Sequence, residues 1–270
     1  MTLASGEFEL VRSLLARETS IVLVEEQRYL VESRLASLAR SSGFDGVEAL
    51  MTRLPCEARL RQRVVDALTI HETSFFRDQH PFEALEQVVF PELLLKRSSE
   101  RRLSVWSAAA SSGQEAYSVA MLLLESFPLT KNWNVSIVGT DISDSVLSQA
   151  RAGVYSPLEV TRGLPSRLLL RYFQRSPVGW IARPELRKLL TWQVMNLTRI
   201  EPSFLGFDVV LLRNVLIYFD LETRRRILSE MARRVRPGGY LLLGSTESVG
   251  GCREWTPRVV DKTVFYTRAV

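Results

Sequence analysis

Apolar residues recur at helical spacing through the first part of the chain. Phe8, Val11, Leu14 and Leu15 form one set, Leu30, Val31, Leu35 and Leu38 a second, and Val64, Val65 and Leu68 a third. Each set lies on one face of a 3.6-residue repeat. Breaks fall near Gly43–Gly46 and at Leu54-Pro55, and no alternating β-branched run intervenes. The pattern predicts four or five short helices packed as a small bundle over residues 1–80. The bundle ends in a polar, then aromatic, then basic stretch, Thr69–His80. Pro81 suits the first turn of a further helix, Pro81–Arg97.

The period then changes. Short apolar runs at Leu103–Trp106, Val135–Gly139, Phe207–Leu212 and Tyr240–Gly244 read as strands. Helical patterns at Gln114–Phe127, Asp144–Ala152 and Leu221–Val235 alternate with them, and Thr263–Thr267 alternates as a last strand. Strands alternating with helices of this length predict an α/β fold with a parallel sheet. Between Gly153 and Asn196 the rhythm breaks into a helical stretch, a turn at Ser176–Gly179, and candidate strands at Trp180–Ala182 and Leu190–Met195. That reads as an inserted subdomain, about residues 154–195, with a small antiparallel sheet. The expected organisation is a helical domain over 1–80 and an α/β domain over 81–270 carrying this insertion.

Composition narrows the class. The chain has 270 residues, 46% hydrophobic and 24% charged, as in a soluble globular protein. Cys56 and Cys252 have no metal-ligand or disulfide-framework spacing, so a reducing, cytoplasmic setting is expected. With two histidines a His-based metal cluster is not expected, nor is a membrane span, since no apolar run approaches ~18 residues. The net charge of +5 is uneven: residues 1–90 hold 10 basic and 14 acidic residues, and residues 91–270 hold 25 and 16. Such a bias suits an acidic partner, or a solvated arginine-rich surface.

The chemistry concentrates after the first strand. Six small residues, Ser107–Ser112, and Gly113 connect it to a helix. Small side chains there let a ligand approach the backbone, and the helix start offers free N–H groups, which suits a nucleotide-like cofactor. A tight βα turn packed with small residues is the alternative. Asp141 closes the second strand, 28 residues after Gly113, where a carboxylate can accept from both ribose hydroxyls or serve as an Asx turn before a helix. Arg213 and Asn214 follow the strand Phe207–Leu212, at the end of a parallel sheet where ligands lie, with Tyr218 close behind; the alternative is an Arg–Asn pair that ties the loop down.

Three stretches in order, Thr69–Arg77, Trp106–Ser118 and Arg213–Phe219, resemble the CheR family of chemoreceptor glutamate methyltransferases, which are class I S-adenosylmethionine-dependent enzymes. The resemblance covers nearly the whole chain and implies a Rossmann-like methyltransferase domain behind a small all-α domain. It implies cofactor contacts at His71, Thr73 and Arg77 from the linker motif, at Ala108 and Glu115 around the glycine loop, and at Asp141. Asn196-Leu197 falls near the adenine, Arg213-Asn214 closes the far side, and Tyr218 is the substrate-side tyrosine. His71 stands where the family commonly has Asn, Ala110 where Cys is frequent, Gln114 where Glu is frequent, and Ala116 where Pro is usual.

The implied reaction is methyl transfer from S-adenosylmethionine to a receptor glutamate, giving a methyl ester. A glutamate of pKa about 4.3 is already ionised at neutral pH, so the chemistry needs placement and water exclusion rather than a general base. Arg77 and Tyr218 are the residues expected to orient the attacking carboxylate. The expected partner is the chemoreceptor helical bundle, met by the second helix (Arg28, Arg34, Arg40) and the β-subdomain. The short turn after Phe173 predicts no tether to a receptor C-terminal pentapeptide. Nucleic acid is not expected, because no Asn/Asp-Pro-Pro-aromatic motif is present. A rival reading is a S-adenosylmethionine-binding sensor or scaffold impaired in transfer; a second, an NAD-dependent oxidoreductase, would prefer a fuller glycine fingerprint.

Overall fold

The computed structural model describes residues Leu3–Arg268 and divides into two units. One comprises residues up to Ile70 together with Tyr218–Thr223; the other comprises His71–Ile217 and the residues from Arg224 on.

The first unit holds four α-helices among its described residues: α1 (Ser5–Thr19), α2 (Arg28–Ser41), α3 (Val47–Arg53) and α4 (Ala58–Leu68). The apolar spacing does what it predicts except at Leu30, which is exposed. Phe8, Val11, Leu14 and Leu15 are buried on α1, Val31, Leu35 and Leu38 on α2, and Leu60, Val64, Val65 and Leu68 on α4, in one core. Two of the three evenly spaced arginines work inside this unit. Arg28 pairs with Glu25 at 2.7 Å and lies 4.4 Å over the Phe8 ring. Arg34 donates to the carbonyls of Leu68 (2.9 Å) and Thr69 (3.1 Å), a cation capping the orphan C-terminal carbonyls of α4. Arg40 is exposed. The segment Tyr218–Thr223 joins this unit through a bridge between Phe219 and Ile21 and a bond from the Val22 amide to the Tyr218 carbonyl at 3.1 Å.

The second unit runs, in chain order, α5 (His80–Ala84), α6 (Phe90–Lys96), β1 (Arg102–Ala108), α7 (Gln114–Ser126), β2 (Asn134–Asp141), α8 (Asp144–Ala152), β3 (Val154–Tyr155), α9 (Pro157–Thr161), α10 (Ser166–Tyr172), β4 (Phe173–Ser176), β5 (Gly179–Ala182), α11 (Pro184–Arg187), β6 (Leu190–Val194), β7 (Phe207–Leu212), α12 (Leu221–Arg234, whose first residues belong to the other unit), β8 (Val235–Leu243), β9 (Trp255–Val260) and β10 (Thr263–Arg268). The helix expected over Pro81–Arg97 forms as α5 and α6 joined by a π turn at Leu85–Val89. Pro91 has no N–H to give, and the ladder slips by one residue just before it.

Seven strands form one sheet in the order β6-β2-β1-β7-β8-β10-β9; the first five run parallel, and β10 pairs antiparallel with both β8 and β9. From β1 the chain builds outward to β2 and β6, then returns to β7 on the other side of β1. That reversal opens a crevice beyond the C-terminal ends of β1 and its neighbours.

The small antiparallel sheet is built from β3, β5 and β4. Leu190–Val194 is not part of it: β6 pairs in parallel with β2, Ile137 opposite Leu190 through Asp141 opposite Val194. The strand expected at Tyr240–Gly244 begins earlier, at Val235, and takes in Pro237-Gly238-Gly239. That tripeptide lies inside β8 as an irregularity against Phe207–Val209. A Cβ on Gly239 would stand 2.7 Å from the Asp208 carbonyl oxygen, so the two strands approach there only without a side chain.

Candidate cofactor site at the strand ends

β1 ends at the buried Ala108, and the loop beyond it alternates hand: Ala109, Ser111 and Gly113 have φ of 58°, 52° and 96°. Two alanine- or serine-borne left-handed residues cost energy, and the surroundings hold them. The Ala110 amide donates to the Thr140 carbonyl at 2.8 Å, the Ser111 amide to Asp141 Oδ2 at 2.9 Å, and Ser111 Oγ to the His71 carbonyl at 2.7 Å. Gly113 is required twice over. Its φ favours glycine, and a Cβ there would lie 2.7 Å from the Trp192 ring and 2.9 Å from the Ala150 Cβ.

Asp141 sits at the end of β2 with 6% exposure. Besides Ser111 it accepts from the Ser143 amide at 3.1 Å, and His71 Nδ1 stands 3.9 Å from Oδ1. The bond from the Ser143 amide is the Asx turn expected at this position, and Ser143 is itself the N-cap of α8. Glu115, in the first turn of α7, accepts from Ser107 Oγ at 2.7 Å and from Arg213 at 3.1 Å.

Arg213 is an internal clamp. Its guanidinium is 2% exposed, pairs with Asp78 at 2.8 Å and Glu115 at 3.1 Å, and donates to the Arg77 carbonyl at 3.0 Å. It ties the segment after the linker motif to the start of α7. In that motif and just after it Phe76, Asp78 and Gln79 have φ of 47°, 71° and 50°, Phe75 is fully buried, and Arg77 donates to the Glu72 carbonyl at 3.1 Å. Thr73 is half-buried in the same motif. Asn196 accepts from the Thr198 amide (2.9 Å) and hydroxyl (2.8 Å), beside the buried Leu197. His71, Thr73, Arg77, Ala108, Glu115, Asp141, Asn196, Leu197, Arg213 and Asn214 all belong to the second unit, and Tyr218 to the first.

Two residues of this region carried no sequence signal that singled them out. Asp78 is one, the partner of Arg213. The other is Glu247, whose carboxylate accepts from the amides of Asn214 (2.7 Å), Leu216 (2.7 Å) and Gly244 (2.8 Å). It pins the loop after β7, where Asn214 has φ 57°, to the end of β8. Among the described residues no group of His, Cys, Asp and Glu could hold a metal ion, and no helix is long and apolar enough to cross a membrane.

The acid set fits S-adenosylmethionine chemically. Glu115 and Asp141 each accept two hydrogen bonds from the protein, whereas a carboxylate can accept about four. The remaining capacity suits a ribose diol and the cofactor's cationic end.

Residues 71–265 match the model of the CheR methyltransferase SAM-binding domain, and residues 6–69 that of the CheR methyltransferase all-alpha domain. The chain is 42% identical over 255 residues to chemotaxis protein methyltransferase 1 of Pseudomonas aeruginosa, covering 92% of both proteins. It is 38% identical to chemotaxis protein methyltransferase Cher2 of Pseudomonas putida, covering 93% of both. It is 36% identical to the chemotaxis protein methyltransferase of Vibrio parahaemolyticus, covering 93% of this chain and 92% of that one.

Proposed function

Because the chain belongs to the CheR methyltransferase family, whose cofactor is S-adenosylmethionine, we propose that it methylates glutamate side chains on the cytoplasmic domains of chemoreceptors, as a protein-glutamate O-methyltransferase acting in the cytoplasm. The observation that carries the reading is the gathering of Glu115, Asp141 and the loop Ser107–Gly113 at the reversal point of a parallel sheet, with the linker motif bonded to that loop through Ser111 and His71. The cofactor supplies an activated methyl group on a sulfonium leaving group.

This chain's residues then bind, orient and exclude water. Asp141 accepts from the ribose hydroxyls and Glu115 lies toward the methionine or ribose end. Asn196 and Leu197 flank the adenine, and His71, Thr73 and Asn214 line the remaining side. Arg213 holds Glu115 and the Arg77 backbone in place. The substrate glutamate arrives ionised, so no side chain here has to remove a proton. Arg77 orients that carboxylate without clamping it, since a tight bidentate pair would lower its nucleophilicity. The resemblance to the family gives Tyr218 the part of a hydrogen-bond donor to the substrate.

Receptor docking falls to exposed basic side chains. Arg28 and Arg34 are engaged within the first unit, so on α2 the docking role rests chiefly on Arg40, with Arg59 and Arg63 exposed on α4. The β-subdomain is the second contact. The two residues between β4 and β5, Pro177 and Val178, support a subdomain with no pentapeptide tether.

The test is methyl transfer from labelled S-adenosylmethionine to a panel of receptors from the same cell, with mass spectrometry of the products. Label on receptor glutamates is the expected result, reduced at least ten-fold in Arg77→Ala and Tyr218→Phe. Label confined to other residue types, or absent while cofactor still binds, overturns the reading.

A further inference from the structure

Tyr155, on β3 of the inserted subdomain, has no exposed surface and touches four pieces of the second unit. Its hydroxyl donates to the Ser112 carbonyl at 2.7 Å, in the middle of the loop after β1. Its ring meets Phe75 of the linker motif edge-on at 5.1 Å, Tyr117 of α7 at 5.8 Å and Phe173 of β4 at 6.1 Å. Phe75 in turn meets Phe173 at 5.7 Å. The subdomain holds Tyr155 rigidly from behind: it pairs with Trp180, and Gly179, at φ 134°, sits so close that a Cβ would lie 2.4 Å from the Tyr155 carbonyl oxygen. The linker motif is pinned from the same side, since a Cβ on Gly163 would lie 2.0 Å from the Phe75 carbonyl oxygen. Burial pushes the Tyr155 hydroxyl well above its ordinary pKa, so it remains a donor at every working pH.

We propose that Tyr155 is a positioning residue for cofactor binding, through which the inserted β-subdomain sets the conformation of the loop Ser107–Gly113 and of the linker motif together. The loop alternates left-handed residues on both sides of Ser112, and its own amides answer to Asp141 and Thr140. The Ser112 carbonyl is answered from the subdomain. A subdomain shifted by whatever it docks against moves Tyr155, and with it one wall of the site and the anchor of Arg77's motif. The proposal rests on reading that loop as a cofactor wall.

The experiment is calorimetric binding of S-adenosylhomocysteine to full-length Tyr155→Phe, with Asp141→Asn and Tyr172→Phe alongside. Phenylalanine keeps the ring contacts and removes only the bond to Ser112. Affinity is expected to fall about three- to ten-fold, the loss of one buried hydrogen bond. With receptor substrate, KM for S-adenosylmethionine rises while kcat changes less than two-fold. Tyr172→Phe removes another tyrosine hydroxyl bond of the same unit, to the Glu125 carboxylate at 2.6 Å near the C-terminal end of α7 rather than at the loop, and should leave affinity unchanged. If Tyr155→Phe binds as the unmodified protein does while Asp141→Asn is weakened, the positioning role is wrong and the site stands. If Asp141→Asn also binds normally, the site itself has been misread and the proposal falls with it. Equal losses in Tyr155→Phe and Tyr172→Phe mean general destabilisation and also overturn it.

Discussion

A single carboxylate decides how well the end of β7 is held. Glu247 gives both oxygens to backbone amides, Oε2 to Asn214 and Gly244 and Oε1 to Leu216. Glutamine at this position keeps the shape but offers one oxygen for three donors and turns an N–H₂ toward the rest. A buried donor left unanswered costs about 1–3 kcal/mol. Glu247→Gln is therefore expected to lower the thermal midpoint by roughly 3–10 °C, at about 2–4 °C per kcal/mol for a protein of this size. A shift below about 1 °C would show that water replaces the carboxylate without loss. Asp141 teaches the complementary lesson at this scale. Its position after a strand was legible in the chain, and so were both of its readings. What spacing could not tell is how its two oxygens divide: one makes the Asx turn and the other holds the Ser111 amide of the loop after β1. Arg213 is the converse case: its place in the chain was legible, but its use as an internal clamp depends on Asp78, 135 residues away.

Elements follow the apolar pattern where the pattern is local. The period of α1, α2 and α4 names the buried faces, and β1, β2 and β7 lie where the apolar runs place them. The pattern loses its grip where the partner is distant. Leu190–Val194 reads as a strand from its own residues, but which sheet it joins is settled elsewhere. Gly139, on β2, leaves room for the Trp192 ring; a Cβ there would lie 2.2 Å from it. No periodicity in residues 190–194 encodes that vacancy. The same holds for α6, β8 and β9, stitched by Glu92, Tyr240 and Arg258. Arg258 bonds Glu92 at 2.6 and 2.7 Å and Tyr240 donates to it at 2.6 Å. The Arg258 guanidinium, followed by the Tyr240 hydroxyl, holds the Glu92 carboxyl at a pKa of about 2, against an ordinary 4.5. A depressed folded pKa gives stability that is complete above the unfolded value and is lost as pH falls from about 4.5 through about 2. Both partners are about a third exposed, and solvent screening reduces the contribution to about 1 kcal/mol. Glu92→Gln should therefore melt earlier than the unmodified protein near pH 6, with the gap narrowing by more than half near pH 3. A gap independent of pH would mean that the triad acts through packing alone.

At the scale of the whole chain the uneven charge becomes a kinetic statement. Residues 1–90 carry more acids than bases, 14 against 10, and residues 91–270 carry 25 bases against 16 acids. Part of the basic excess is neutralised on the subdomain itself: Arg162 pairs with Glu72, and Arg167 and Arg171 share Glu125. Arg175, Arg187 and Lys188 remain exposed on the same stretch. A field made by exposed charges steers an acidic partner toward encounter and is screened over about 10 Å at 0.1 M salt. The interactions of Asp141 and Arg213, by contrast, are buried and little screened. The two processes should therefore separate in salt. Raising ionic strength from about 0.05 to about 0.5 M is expected to lower kcat/KM for receptor about ten-fold, almost wholly through KM. Over the same range the affinity for S-adenosylhomocysteine should change less than about two-fold. Charge reversal at Arg175 and Lys188 should flatten the salt dependence and leave cofactor affinity where it was. If the receptor KM is the same at both salt concentrations, long-range attraction contributes nothing and docking rests on shape and apolar contact. If the salt dependence survives the reversal on the subdomain, the steering charge lies elsewhere, and Arg40, Arg59 and Arg63 of the first unit are the next side chains to reverse.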